Sequence, residues 1–167
     1  MSEQFIPRLI GLSGSLFLSG FAFSASYYTL PAAALAPLPL RLQQWLVVYD
    51  LGKLISPPLS AISALSWFYT SYTSQSTETT QLYATAGALT LGTVIWTVGA
   101  MRPTNNALMR MAKVAREGKD EGSESGSGSG RFQRDAERDL GRWSWMNYVR
   151  AVIPLVGGWV GLYAALK

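Results

Sequence analysis

The chain has 167 residues, 49% of them hydrophobic, 12% aromatic and 14% charged, with a formal net charge of +4. The apolar residues gather into long runs instead of amphipathic spacing, which excludes an ordinary water-soluble domain and points to an integral membrane protein. Cys and His are both absent, removing disulfides, thiolate chemistry and the commonest ligand for haem, zinc, copper and non-haem iron.

Four apolar runs, at residues 5–30, 45–69, 82–101 and 148–166, each approach the roughly 20 residues needed to cross a hydrocarbon core of about 30 Å. The first is followed by Ala32-Ala33-Ala34-Leu35-Ala36, which resembles a signal-peptidase site. The run is long for a signal core and is broken by Ser and Gly throughout, so it is read as a retained helix. Small residues recur at four-residue spacing in three of the runs: Gly11, Ser15 and Ser19; Ala84, Ala88 and Gly92; Gly157 and Gly161. That pattern lets helix backbones approach closely in a membrane. The expected fold is all-α, a single transmembrane four-helix bundle over residues 1–167.

Between the third and fourth runs, residues 118–130 form a Gly/Ser-rich insert, engineered or native, expected to be a flexible coil. Its flanks, 106–117 and 131–142, read as short charged helices that extend the third and fourth helices beyond the bilayer as an antiparallel pair. Nine of the 14 basic residues lie in 102–142 beside seven acidic ones, the signature of a mixed-charge loop and not of a nucleic-acid surface. Those nine and Arg41 oppose Arg8 and Lys167, so the positive-inside rule puts the first and third connections in the cytosol and both termini in the lumen. The expected location is the endoplasmic reticulum or a related endomembrane.

This topology gathers the unusual residues at one end of the bundle. Tyr27 and Tyr28 close the first helix, and Tyr49, Asp50 and Lys53 open the second. Arg102, Asn105 and Asn106 close the third, and Trp143, Asn147, Tyr148 and Arg150 open the fourth. Intramembrane Arg, Lys, Asp and Asn are costly unless they pair or face a cavity. Asp50, Lys53 and Pro57 fall at i, i+3 and i+7, and Asn147, Arg150 and Pro154 repeat the spacing, so each trio shares a helix face. Facing inward, Asp50 would pair with Arg150 or Lys53, while Pro57-Pro58 and Pro154 would break or kink their helices and free carbonyls. The alternative is a polar clasp that fixes helix register. Trp45, Trp143 and Trp145 also suit interfacial anchors, and Trp67 and Trp96 packing or lipid contact.

Three strings, Tyr49-Asp50-Leu51-Gly52-Lys53, then Pro103-Thr104-Asn105-Asn106-Ala107-Leu108, then Trp143 with Asn147-Tyr148-Val149-Arg150-Ala151, stand in an order and position that resembles the fungal anthrone oxygenase-like family. The resemblance covers most of the chain outside the insert. It implies oxidation of an anthrone, a reduced tricyclic polyketide, to an anthraquinone with O2.

A cofactor-free reaction is chemically reasonable, because an anthrone has an acidic benzylic C–H and its anion can reduce oxygen directly. Such a site needs a base, oxyanion donors and a dry slot for the rings. Lys53 or Asp50 is the candidate base, and Arg150, Asn147 and Asn106 the candidate oxyanion donors. Trp143, Tyr49 and Tyr148 are candidates to line the slot, with Arg102 and Asn105 as further substrate contacts. No metal or organic cofactor is expected. The expected partners are membrane lipids, O2 and a lipophilic aromatic substrate, with self-association or association with a biosynthetic enzyme left open. Two other readings compete: a non-oxidative cyclase or isomerase of a lipophilic polyketide or terpenoid, and a non-catalytic membrane adaptor.

Overall fold

A computed structural model describes residues 3–117 and 126–167, and nearly all of them are helical. Helix α1 (Phe5–Ser24) continues through a π-helical segment (Ala25–Thr29) into the short α2 (Leu30–Ala33). A tight connection leads to α3 (Leu38–Tyr72), and another to α4 (Thr77–Trp96). That helix runs through a second π segment (Thr97–Met101) into α5 (Arg102–Arg116), and α6 (Gly126–Leu166) closes the chain.

The two π segments have a common cause. Each stands two residues before a proline, Pro31 and Pro103, whose ring would meet the carbonyl four residues back in a regular helix. Those carbonyls belong to Tyr27 and Gly99, both inside the π segments, and the wider turn relieves the clash while the helix continues. The prolines inside α3 and α6 do not break their helices. Pro57, Pro58 and Pro154 lie within uninterrupted helices, although none supplies an N–H to the turn before it. The carbonyls of Lys53 and Arg150, four residues before Pro57 and Pro154, are the ones left without that donor.

Three stretches among the described residues, Phe5–Ala33, Thr77–Arg116 and Gly130–Leu166, are long and apolar enough to cross a membrane. The expected run at 45–69 lies inside α3, which is not among them; its Ser residues, Asp50 and Lys53 dilute the apolar character. The helices close in a ring, since α3 and α6 each pack against both α1 and α4.

Half of the interior is built on Trp67, which is 1% exposed and lies between Gly11 of α1 and Gly161 of α6. Any Cβ at Gly11 would come 2.6 Å from the indole, so the close approach requires glycine there. The Trp67 Nε1–H donates to Ser15 Oγ at 3.1 Å. Ser15 shares hydrogen bonds with Ser63 at 3.2 Å and Thr90 at 2.9 Å, so one satisfied network joins α1, α3 and α4. Thr90 also settles which face of α4 is packed. Tyr83, Ala86, Gly87 and Thr90 are buried, whereas Ala88, from the expected stripe of small residues, is exposed.

The other half holds Leu42, Trp45, Met101, Leu108, Ala112, Ala136, Leu140, Trp143 and Met146 in one buried cluster, joining α5 to the first half of α6. Trp45 and Trp143, expected as interfacial anchors, are buried and meet edge to face at 5.9 Å; Trp145 is exposed. Of the expected coil, residues 118–125 lie outside the described residues. Gly126 is the first residue of α6.

Candidate active site

Both π segments contribute to one cavity of about 320 Å³, within the range of small-molecule sites. α1 gives Phe21, and the first π segment Ala25. α3 gives Val48, Tyr49, Gly52, Lys53, Ser56 and Pro57. Thr93 and Val94 come from α4, Thr97 and Val98 from the second π segment, Arg102, Asn105 and Asn106 from α5, and Trp143 and Arg150 from α6. Along the third rod the lining residues Val94, Val98, Arg102 and Asn106 are four apart. At 3.6 residues per turn such a row drifts off one face, and the wider π turn partly offsets the drift.

Neighbouring helices are fixed around the cavity by donors that reach backbone carbonyls. Ser26 Oγ donates to the Ser144 carbonyl at 2.9 Å, and Trp96 Nε1 to the Met146 carbonyl at 3.2 Å. Gln43 Nε2 donates to the Ala112 carbonyl at 2.6 Å, holding α5 against α3.

Seven of the ten residues singled out in the sequence line this cavity: Tyr49, Lys53, Arg102, Asn105, Asn106, Trp143 and Arg150. Arg150 lies deep, 8% exposed, with no carboxylate or hydrogen-bond partner for its guanidinium among the described residues. The Asp50–Arg150 pairing allowed by the sequence is therefore not formed. Asp50 instead sits 3.4 Å from Lys53 Nζ, and both side chains are largely exposed. Lys53 also lies 5.6 Å from the centre of the Tyr49 ring, which stacks on Trp45 at 5.3 Å.

Three of the ten do not line the cavity. Asp50 lies beyond Lys53 on the outer side of α3. Asn147 is fully buried between helices, its Nδ2 donating to the Trp143 carbonyl at 2.9 Å, one turn behind the wall. Tyr148 turns outward to meet Phe23 at 5.8 Å.

The sequence reading missed Thr93, Ser56 and the apolar wall of Phe21, Val48, Val94 and Val98, whose residue types are unremarkable in a membrane helix. A second property marks the region. Buried polar atoms without a protein partner include Trp45 Nε1, Thr93 Oγ1, Thr104 Oγ1, Asn105 Oδ1, Asn147 Oδ1 and Arg150 Nε. An unsatisfied buried group costs about 1–3 kcal/mol, and native proteins carry few. Thr93, Asn105 and Arg150 line the cavity, so its wall offers donors and acceptors to a ligand. Among the described residues no group of three His, Cys, Asp or Glu side chains is placed to hold a metal ion.

Residues 45–160 match the family model described as anthrone oxygenase. The chain is 33% identical over 169 residues to an anthrone oxygenase of Claviceps purpurea, covering 96% of this chain and 91% of that protein. It is 28% identical over 174 residues to the anthrone oxygenase encC of Aspergillus fumigatus, covering 99% and 95%. A noranthrone monooxygenase of Aspergillus flavus is 27% identical over 154 residues, covering 90% and 69%. No solved structure matches the chain.

Proposed function

The chain belongs to the anthrone oxygenase family, and from that premise we propose that its cavity binds an anthrone and oxidises it with O2 to the anthraquinone, without metal or organic cofactor. The observation that carries the proposal is Arg150, a buried cation with no counter-ion among the described residues, in the wall of a largely apolar slot. Such a charge is costly in a neutral site and favourable where an anion forms.

The reaction then needs little beyond the residues present. The anthrone methylene loses a proton, and the electrons move onto the ketone oxygen. Arg150 stabilises that oxyanion, with Thr93 and Asn105 as further polar contacts. The anion passes one electron to O2, and the resulting radical and superoxide combine into a C–O bond. With the proton returned, this gives a hydroperoxide at the former methylene carbon. Loss of water across that carbon and the peroxide leaves the second carbonyl, so anthrone and O2 become anthraquinone and water. The planar walls of Trp143 and Tyr49 suit three fused rings.

Of the two candidate bases, Lys53 lines the cavity and Asp50 does not. We assign Lys53, as the free amine, to take the methylene proton, and Asp50, 3.4 Å from its Nζ, to stabilise the ammonium that results. Asn147 becomes a support for the wall through the Trp143 carbonyl.

For the membrane, α3 is the fourth crossing, since it completes the ring between α1 and α4. The basic connections then face the cytosol, the termini the lumen, and the paired start of α6 and α5 stands out from the bilayer. The test is purified protein in nanodiscs given an anthrone under air. The expected result is O2 uptake with matching anthraquinone formation above the protein-free rate. Conversion without O2 uptake would indicate a cyclase or isomerase instead.

A further inference from the structure

We infer that the cavity is loaded sideways from the bilayer, through a mouth between α3 and the rod formed by α4 and α5; the inference rests on the anthrone oxygenase reading for the identity of the cargo. The lining divides sharply by exposure. Arg150, Trp143, Asn105, Thr93, Ser56 and Gly52 are buried and form the closed end. The exposed lining residues are Lys53 and Pro57 of α3, and Val98, Arg102 and Asn106 of the facing rod. No exposed lining residue comes from α1 or α6, so the mouth lies between those two rods alone.

The surface around the mouth is apolar. Leu54 is 71% exposed and Ile95 68%, each within a few residues of the rim, and Val98 on the rim itself is 60% exposed. Ile95 and Val98 stand on a rod apolar enough to cross a membrane, where large exposed aliphatic groups face acyl chains, not water. Arg102 on the rim fixes the depth: its side chain is long enough to reach lipid phosphates while its stem stays against the apolar surface. The mouth therefore opens just beneath the headgroups, where a flat, apolar three-ring molecule with a polar edge would concentrate. Its polar edge would pass between Lys53 and Arg102 and end at Arg150. The quinone, equally apolar, leaves by the same route.

The test uses 9,10-anthraquinone dissolved in the bilayer of vesicles carrying the protein, with uptake followed by quenching of tryptophan fluorescence beside Trp143. If loading is lateral, the rate of uptake follows the mole fraction of quinone in lipid and not its aqueous concentration. Val98→Phe should slow both uptake and release by about tenfold, as expected for a residue at a gate. Val98→Ala should speed both, and Ile95→Phe, on the same rod but outside the lining, should change neither. An uptake rate set by aqueous quinone regardless of its mole fraction in lipid overturns the inference, as do unchanged rates in both Val98 variants or no uptake in any vesicle. Anthrone oxidation in the same vesicles judges the activity separately: uptake without turnover rejects the activity and leaves the route decided by the uptake rates.

Discussion

Replacing Arg150 with Met should lower kcat and leave the fold at least as stable, two effects of opposite sign from one substitution. Arg150 is 8% exposed and pairs with no carboxylate among the described residues, so its removal orphans no charged partner among them. Met fills much of the same volume without the desolvation penalty, which for a buried ion is several kcal/mol before compensation. We expect thermal stability in detergent to be unchanged or raised, by on the order of 1–2 kcal/mol. Catalysis should move the other way. Loss of a fixed donor to a developing oxyanion is worth roughly 100-fold to 1000-fold in kcat, about 3 kcal/mol of transition-state stabilisation. KM should change much less, because the ground-state ketone is neutral. The assay pairs initial rates of anthraquinone formation, per folded molecule, with a thermal melt for wild type, Arg150→Met and Arg150→Lys. A variant that melts earlier yet turns over normally would show that Arg150 clasps helices together, and the reasoning would fail.

Lys53→Met should reduce kcat by roughly 100-fold, within the range for a lost general base, and Asp50→Asn by less, since its carboxylate acts one step removed. Equal activity in wild type and Lys53→Met would leave the substrate's own acidity as sufficient. Asn147→Ala should destabilise by about 1–3 kcal/mol through the lost bond to the Trp143 carbonyl and the space left behind, with kcat per folded molecule within about tenfold of wild type. A larger kcat loss at unchanged stability would return Asn147 to the catalytic group. Gly11→Ala should push against the Trp67 indole and cost about 1–3 kcal/mol without altering turnover of the folded fraction, measured by the same melt and rate pair.

The residues that a sequence reader can find are those that are anomalous in a membrane. Arg102, Asn105, Asn106, Lys53 and Arg150 stand out because charge and amide groups are expensive there, and all five meet at one cavity. Thr93, Val94 and Val98 do the same job of enclosing it, yet nothing in their chemistry separates them from lipid-facing neighbours. Helical spacing placed Asp50 beside Lys53 correctly but only to within a fraction of a turn. The cavity takes Tyr49, Lys53 and Pro57, and Asp50 falls just past its edge. Asn147 misses the lining in the same way: Trp143 and Arg150, seven residues apart, share the cavity stripe, and Asn147 between them is buried with its Nδ2 donating to the Trp143 carbonyl of its own helix. The π segments had a readable signal in Pro31 and Pro103, each following a long apolar run. What a single proline does, however, depends on its surroundings, as the uninterrupted helix through Pro57 and Pro58 demonstrates. Nor did composition show which stripe of α4 is packed, because small residues occur on more than one face and only the hydrogen bonds of Thr90 decide it.

The central claim is that this cavity performs an oxygen-dependent conversion with its own side chains, and isotopic labelling tests it most directly. Purified protein treated with chelator is given an anthrone under ¹⁸O2, and the quinone is analysed by mass spectrometry beside a protein-free control and Arg150→Met. A quinone carrying one labelled oxygen is expected, formed well above the control rate by wild type and near it by the variant. Unlabelled quinone, or a rate that collapses on chelation and returns with added metal, would contradict it.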